Sequence, residues 1–184
     1  MFIAKQLKES NIAEYLLYMW QVEDLVRANG LDLDKIRKNL IDSYPVDNEQ
    51  KQALEKWYED FIEMMRMEGV VSSGHLQVNK NIILLLTDLH LRLLRSPKLA
   101  AYGAEYYKVL PYIVEIRAKG DRKDISEIEN CFDALYGVML LRLQKKEISK
   151  ETTTAIAAIS RLIALLAAYF IKEKNGELDD LLAD

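Results

Sequence analysis

Carboxylates come first among the residues of this 184-residue chain that could do chemistry. Glu55, Glu59 and Glu63 recur every four residues, with Asp60 beside them. On a helix that spacing lines one face with oxygen donors, the ligands a hard cation such as magnesium prefers. Glu59, Asp60 and Glu63 are therefore candidate metal ligands. Ordinary surface pairing would occupy them equally well: Lys51 with Glu55, Lys56 with Asp60, Arg66 with Glu63. The two histidines come next. His90 is flanked at helical spacing by Ile83, Leu86, Thr87 and Leu94, which predicts a satisfied core histidine. Asp88 points elsewhere on the helix and is better placed for Arg92. His75 falls in a loop or first turn and is expected to be solvated. Tyrosines form the third group: Tyr102, Tyr106 and Tyr107 precede Pro111 and Tyr112, and Tyr136 follows. Proline cannot donate to the Tyr107 carbonyl. Tyr106, Tyr107, Tyr136 and His90 are thus candidates for a polar small-molecule pocket. The alternative is that the rings fill a helix interface and turn their hydroxyls to water.

Other chemistry lacks its parts. Glu59-Asp60-x-x-Glu63 resembles the first half of the magnesium site of all-α nucleotide pyrophosphohydrolases, an E-E-x-x-E run followed by E-x-x-D. The second half is missing, because Asp88 stands alone in its helix and Glu129 and Asp133 are four apart. A di-iron bundle needs Glu-x-x-His on two helices, and none occurs. Phosphate-cradling glycine loops and a G-x-S-x-G elbow are also absent. Cys131, the single cysteine, excludes an intrachain disulfide and a Cys-rich zinc site, and beside Phe132 it reads as core. No catalytic residue is assigned, no cofactor is expected, and the balance leans away from an enzyme.

Charge narrows the partners. A net charge of −4 disfavours generic binding to nucleic acid or to an anionic membrane. The basic residues Arg117, Lys119, Arg122 and Lys123 are interleaved with Asp121 and Asp124, as in a solvated linker. The start Met1-Phe2-Ile3-Ala4-Lys5 meets charge before any apolar run, so no secretory signal is expected. With one cysteine, this points to a reducing, cytoplasmic setting.

The elements that must position these residues are helices. Half the residues are hydrophobic, and the 7 glycines and 3 prolines fall well below average usage, roughly 22 for this length. A short turn is expected over residues 3–8. Asn11 with Glu14 caps a helix running to about Ala28, with Ile12, Tyr15, Leu16, Met19, Val22 and Val26 on its apolar face. Asp32 caps a shorter helix with the face Leu33, Ile36, Leu40 and Tyr44, ended by Pro45. Asp47 with Gln50 opens the third helix, which carries the acidic face and stops at Gly69. The fourth covers roughly 78–95 and should lie deep at residues 82–86, apolar on every side. Ser96-Pro97 starts the fifth, which runs to Lys119 with a kink or break expected at Pro111. After a linker at residues 120–123, Asp124 with Glu127 caps the sixth, with Ile128, Phe132, Leu135 and Met139 as its seam.

The last long helix ends near Lys174. Residues 155–171 contain only Ser160 and Arg161 as polar interruptions. They are too short and carry too central a charge for a membrane span, and read as a core helix. Ala157, Ala164 and Ala168 with Gly137 predict a tight hairpin of the last two helices. Ile156, Ile159, Ile163, Leu166 and Phe170 form an adjacent seam, buried either at the bundle centre or against a second copy. The expected fold is all-α, a single-domain antiparallel bundle of about six or seven helices over residues 1–184, with a frayed tail from about 177 in which Leu178, Leu181 and Leu182 could dock.

The stretches NIAEYLLYMWQVEDL (residues 11–25) and LQKKEIS (residues 143–149) resemble a family of bacterial domains of unknown function, of about this length and common in anaerobic gut bacteria. The resemblance implies a bacterial, cytoplasmic protein and brings no catalytic residues. The leading functional expectation is a non-enzymatic helical interaction or scaffold protein, a homodimer through the last helix being one form of it. The alternatives are a metal-dependent nucleotide hydrolase using Glu59, Asp60 and Glu63, and a small-molecule binder at the tyrosine-rich helix.

Overall fold

The computed structural model describes residues 2–119 and 124–178. Among these residues the protein is all-α, with eight α-helices and no strand. In chain order they are α1 (Phe2–Ser10), α2 (Ile12–Ala28), α3 (Leu33–Asn39), α4 (Asn48–Met67), α5 (Gln77–Arg95), α6 (Ala100–Lys119), α7 (Glu127–Leu143) and α8 (Lys150–Lys174). Short 3-10 turns sit at Ile41–Ser43 and Pro97–Leu99. The linker at residues 120–123 and the tail leucines Leu181 and Leu182 lie outside the described residues. Leu178 is buried.

Contacts group the chain into two compact units, Met1–Ser10 with Glu14–Asn81, and Asn11–Ala13 with Ile82–Asp184. In the first, α3 and the Ile41–Ser43 turn pack on α4. Ile36, Ile41, Leu54, Tyr58, Phe61 and Met65 are buried there. In the second, α6, α7 and α8 each pack on the other two. Tyr102, Val109, Ile113, Phe132, Ile159, Leu162 and Leu166 are buried among the residues of that unit. Each such side chain stabilises the fold by about 1.5–3 kcal/mol.

Local signals place most boundaries. The Asn11 side chain accepts from the Ala13 N–H. Asp32 caps α3 through the Asp34 and Lys35 amides. Asp47 and Gln50 form a reciprocal capping box on α4. Gly30 and Gly176 take the left-handed conformation after α2 and α8, at φ 68° and 74°.

Elsewhere the structure departs from the pattern. The short α3 stops at Asn39, so the following turn buries Ile41 and leaves Leu40 half-buried. The run at residues 82–86 is not deep on every side: Ile82, Ile83 and Leu86 are buried, whereas Leu84 and Leu85 are exposed. Successive residues on a helix turn through 100°, and only one face of α5 has a neighbour to bury against. Asp124 does not cap α7. The Ser126 hydroxyl does, accepting from the Glu129 N–H at 3.1 Å. In α7, Leu135 and Met139 are half-buried, and Cys131, Tyr136 and Val138 join Ile128 and Phe132 in the core. Lys145, not a glycine, takes the left-handed position after α7, at φ 55°. Finally, α6 does not break at Pro111. The ring lies on its exposed face, where water can satisfy the carbonyl that loses its amide partner.

Candidate functional site

The acidic face of α4 is dispersed among cations. Lys56 reaches Glu59 at 2.9 Å and Asp60 at 3.0 Å. Glu55 pairs with Arg37 of α3 through both carboxylate oxygens, at 2.7 and 3.1 Å, instead of with Lys51. Arg66 turns to the Leu31 carbonyl at 3.0 Å. Glu59 and Glu63, with Arg66, border a shallow depression beside residues 30–33. Among the described residues no three His, Cys, Asp or Glu side chains converge as a cation would require.

In the second unit, His90 is only 2% exposed, and its Nδ1 lies 2.7 Å from the Tyr102 hydroxyl. Tyr106 packs its ring 5.0 Å from the imidazole and donates its hydroxyl to Glu127 at 2.8 Å. His90 Nε2 is buried with no hydrogen-bond partner among the described residues. Burial lowers the His90 pKa, against the opposing pull of the Glu127 carboxylate. Burial also raises the Tyr102 and Tyr106 hydroxyls and pushes the Cys131 thiol up to about 12. A neutral histidine, protonated phenols and a protonated thiol make a core network, not a nucleophilic site. Of the four pocket candidates, His90 and Tyr106 meet. Tyr107 is 68% exposed, with its ring 5.3 Å from that of Tyr106, and Tyr136 is buried.

A second histidine cluster lies in the first unit. Glu23 of α2 is wholly buried and accepts three bonds: the His75 imidazole at 2.6 Å, the Leu76 N–H at 2.9 Å and the Asn79 side chain at 2.7 Å. The Trp20 ring stacks on His75 at 4.1 Å and 15°. Arg27 holds the same loop through the Val70 and Gly74 carbonyls. His75 is thus half-buried and paired, where a solvated ring is expected from the sequence. The carboxyl contact and the Trp20 stack fix the ring in orientation. Such a dyad is the geometry of an oriented base, and its bond to the Leu76 N–H lies just before α5, whose first amide, Gln77 N–H, donates to Glu68 at 2.6 Å. One signal pointed here: Glu23 interrupts the buried positions Met19, Trp20, Val22 and Val26 of α2. A carboxylate on an apolar face needs donors from elsewhere in the fold.

The apolar faces of α6 and α8 complete the picture. Ile156, Ile159, Ile163 and Leu166 are buried within the chain, and Phe170 is half-buried. The residues that α8 presents outward are Thr154, Ala157, Arg161, Ala164 and Ala168, all exposed. The alanine stripe therefore does not form the tight hairpin. On α6 the inner face buries Tyr102, Tyr106, Val109 and Ile113, while the outer face exposes Ala104, Tyr107, Pro111, Val114 and Ala118. Those five are spaced 4, 3, 4 and 3 residues in the reverse direction and carry no charge.

The family model described as a domain of unknown function, DUF4924, matches residues 1–177. The chain belongs to this family. No curated protein and no solved structure matches it. For this DUF4924 chain, function has to come from its own surfaces.

One such surface is a groove of about 1170 Å³ lined by α6, α7 and the start of α8. Tyr112, Ile116, Gly137, Val138 and Ile156 form its apolar wall, and Lys119, Glu151 and Thr152 lie at its polar end. Gly137 meets no atom within 4 Å of where a Cβ would stand. It opens the groove instead of admitting a neighbouring backbone. The helix α8 itself has the length and hydropathy to cross a membrane, but its largest apolar side chains pack inside the second unit.

Proposed function

We propose that this DUF4924 protein is a cytoplasmic, non-enzymatic helical module that works by binding another protein chain through the outer face of α6. The observation that supports this most is the uncharged stripe from Ala104 to Ala118. Its two large members, Tyr107 and Val114, are 68% and 58% exposed. The exposed leucines of α5 are a weaker surface, because Asn81 and Asp88 interrupt Leu84 and Leu91 on the same side.

Site-specific photo-crosslinking in the cells that make the protein tests this reading. A photoreactive phenylalanine at position 107 or 114 should give protein adducts, and one at Glu63, exposed on α4, should not. Equal adducts at all three positions, or none at 107 and 114, would overturn it.

Small-molecule binding is a second reading, favoured by the groove at Tyr112 and Gly137. A ligand there would raise the melting temperature of the folded protein. Gly137→Leu, which projects a side chain into the groove, should reduce that rise; an undiminished rise in the variant would place the ligand elsewhere.

A further inference from the structure

On the reading that α6 carries the interface, we propose that its occupant is a second copy of this chain, antiparallel across a twofold axis at Pro111. A twofold interface must be self-complementary. The stripe is close to a palindrome about Pro111: small Ala104, large Tyr107, Pro111, large Val114, small Ala118. Folded onto itself, it sets Ala104 against Ala118 of the other copy and Tyr107 against Val114. Alternating spacings of three and four residues are those of a two-helix seam.

Charge selects the direction. Lys108 and Glu115 each follow a seam residue and flank the same edge of the stripe. In an antiparallel pair these edge positions face one another, so Lys108 meets Glu115 twice, once on each side of the axis. A parallel pair would instead set them against Leu110 and Gly103, with no charge partner. On the other edge the antiparallel arrangement brings half-buried Leu110 against its own copy. Lys108 now pairs with Glu105, and Glu115 with Lys119, both along the exposed helix. Such pairs exchange at little cost.

Two measurements on the full chain test this. Solution mass should rise with concentration from 21.3 kDa toward twice that value. Lys108→Glu or Glu115→Lys alone should weaken the dimer about tenfold, and the double swap should restore it. Ala104→Cys and Ala118→Cys should form a disulfide when the two variants are mixed under mild oxidation, and neither should cross-link alone. Cys131 is buried and gives no background. Cross-linking of each variant with itself would mean a parallel pair and overturn the proposal. So would a chain that stays at 21.3 kDa while photo-adducts at 107 carry a different protein, although the interaction reading would then stand. Absence of any adduct at α6 would end both.

Discussion

The two histidines occupy opposite situations at nearly the same bond length. His75 bonds a buried carboxylate at 2.6 Å and keeps part of its ring at the surface. His90 bonds a tyrosine hydroxyl at 2.7 Å and is sealed in the second unit. In the first cluster the acid is the centre, and three donors from a later segment close on it. In the second the imidazole is the centre, held neutral by desolvation. Stripping the partners from a buried carboxyl costs several kcal/mol, so the chain organises around it, whereas the neutral ring offers one donor and one acceptor and here pairs Nδ1 alone among the described residues.

Removing the centre of the first cluster should have the largest effect. Glu23→Ala strands the Leu76 amide, the Asn79 side chain and His75, and should cost about 3–5 kcal/mol in urea unfolding. Amide exchange at residues 70–80 should quicken most. If exchange quickened equally throughout the chain, Glu23 would not be the anchor of that loop. Tyr102→Phe tests the second cluster by removing the hydroxyl that His90 Nδ1 bonds, and should cost about 1–2 kcal/mol. An unchanged denaturation midpoint would show that His90 does not depend on it.

A smaller effect follows from pH. His90 has a lowered pKa in the folded state, so the unfolded chain takes up its proton first as pH falls. Its contribution is whole above the ordinary value of about 6.5 and is lost between there and the lowered folded value. His90→Phe should flatten this limb of the stability curve between pH 7.5 and 5. An identical slope in the variant would assign the limb to other groups. Least perturbing is thiol labelling: Cys131, beside the His90 network, should react with an alkylating reagent at pH 8 only on unfolding, given a thiol pushed up to about 12. Labelling as fast as a free thiol would mean that this core opens readily.

Much of the helical framework was readable from particular residues. Asn11, Asp32 and the Asp47–Gln50 pair act within a few positions of themselves, so their roles survive any tertiary arrangement. His90 was recognisable as core from its flanking residues, and Asp88 does pair with Arg92 at 2.8 Å. The cluster at Glu23 was harder to see because its donors lie more than fifty residues away. The placement of the apolar faces was harder still. The helix α8 is the more hydrophobic in sequence, yet its seam is buried, and the outward apolar stripe belongs to α6.

The sequence by itself determined that this is an all-helical protein and where most of its helices start and stop, because capping, helical periodicity and local breakers are short-range. Only the tertiary structure decided which charge is sealed in, that α6 continues through Pro111, and which apolar stripe is left outside. Those outcomes depend on which helix faces find neighbours, and hydrophobicity alone does not say which neighbour a face will meet.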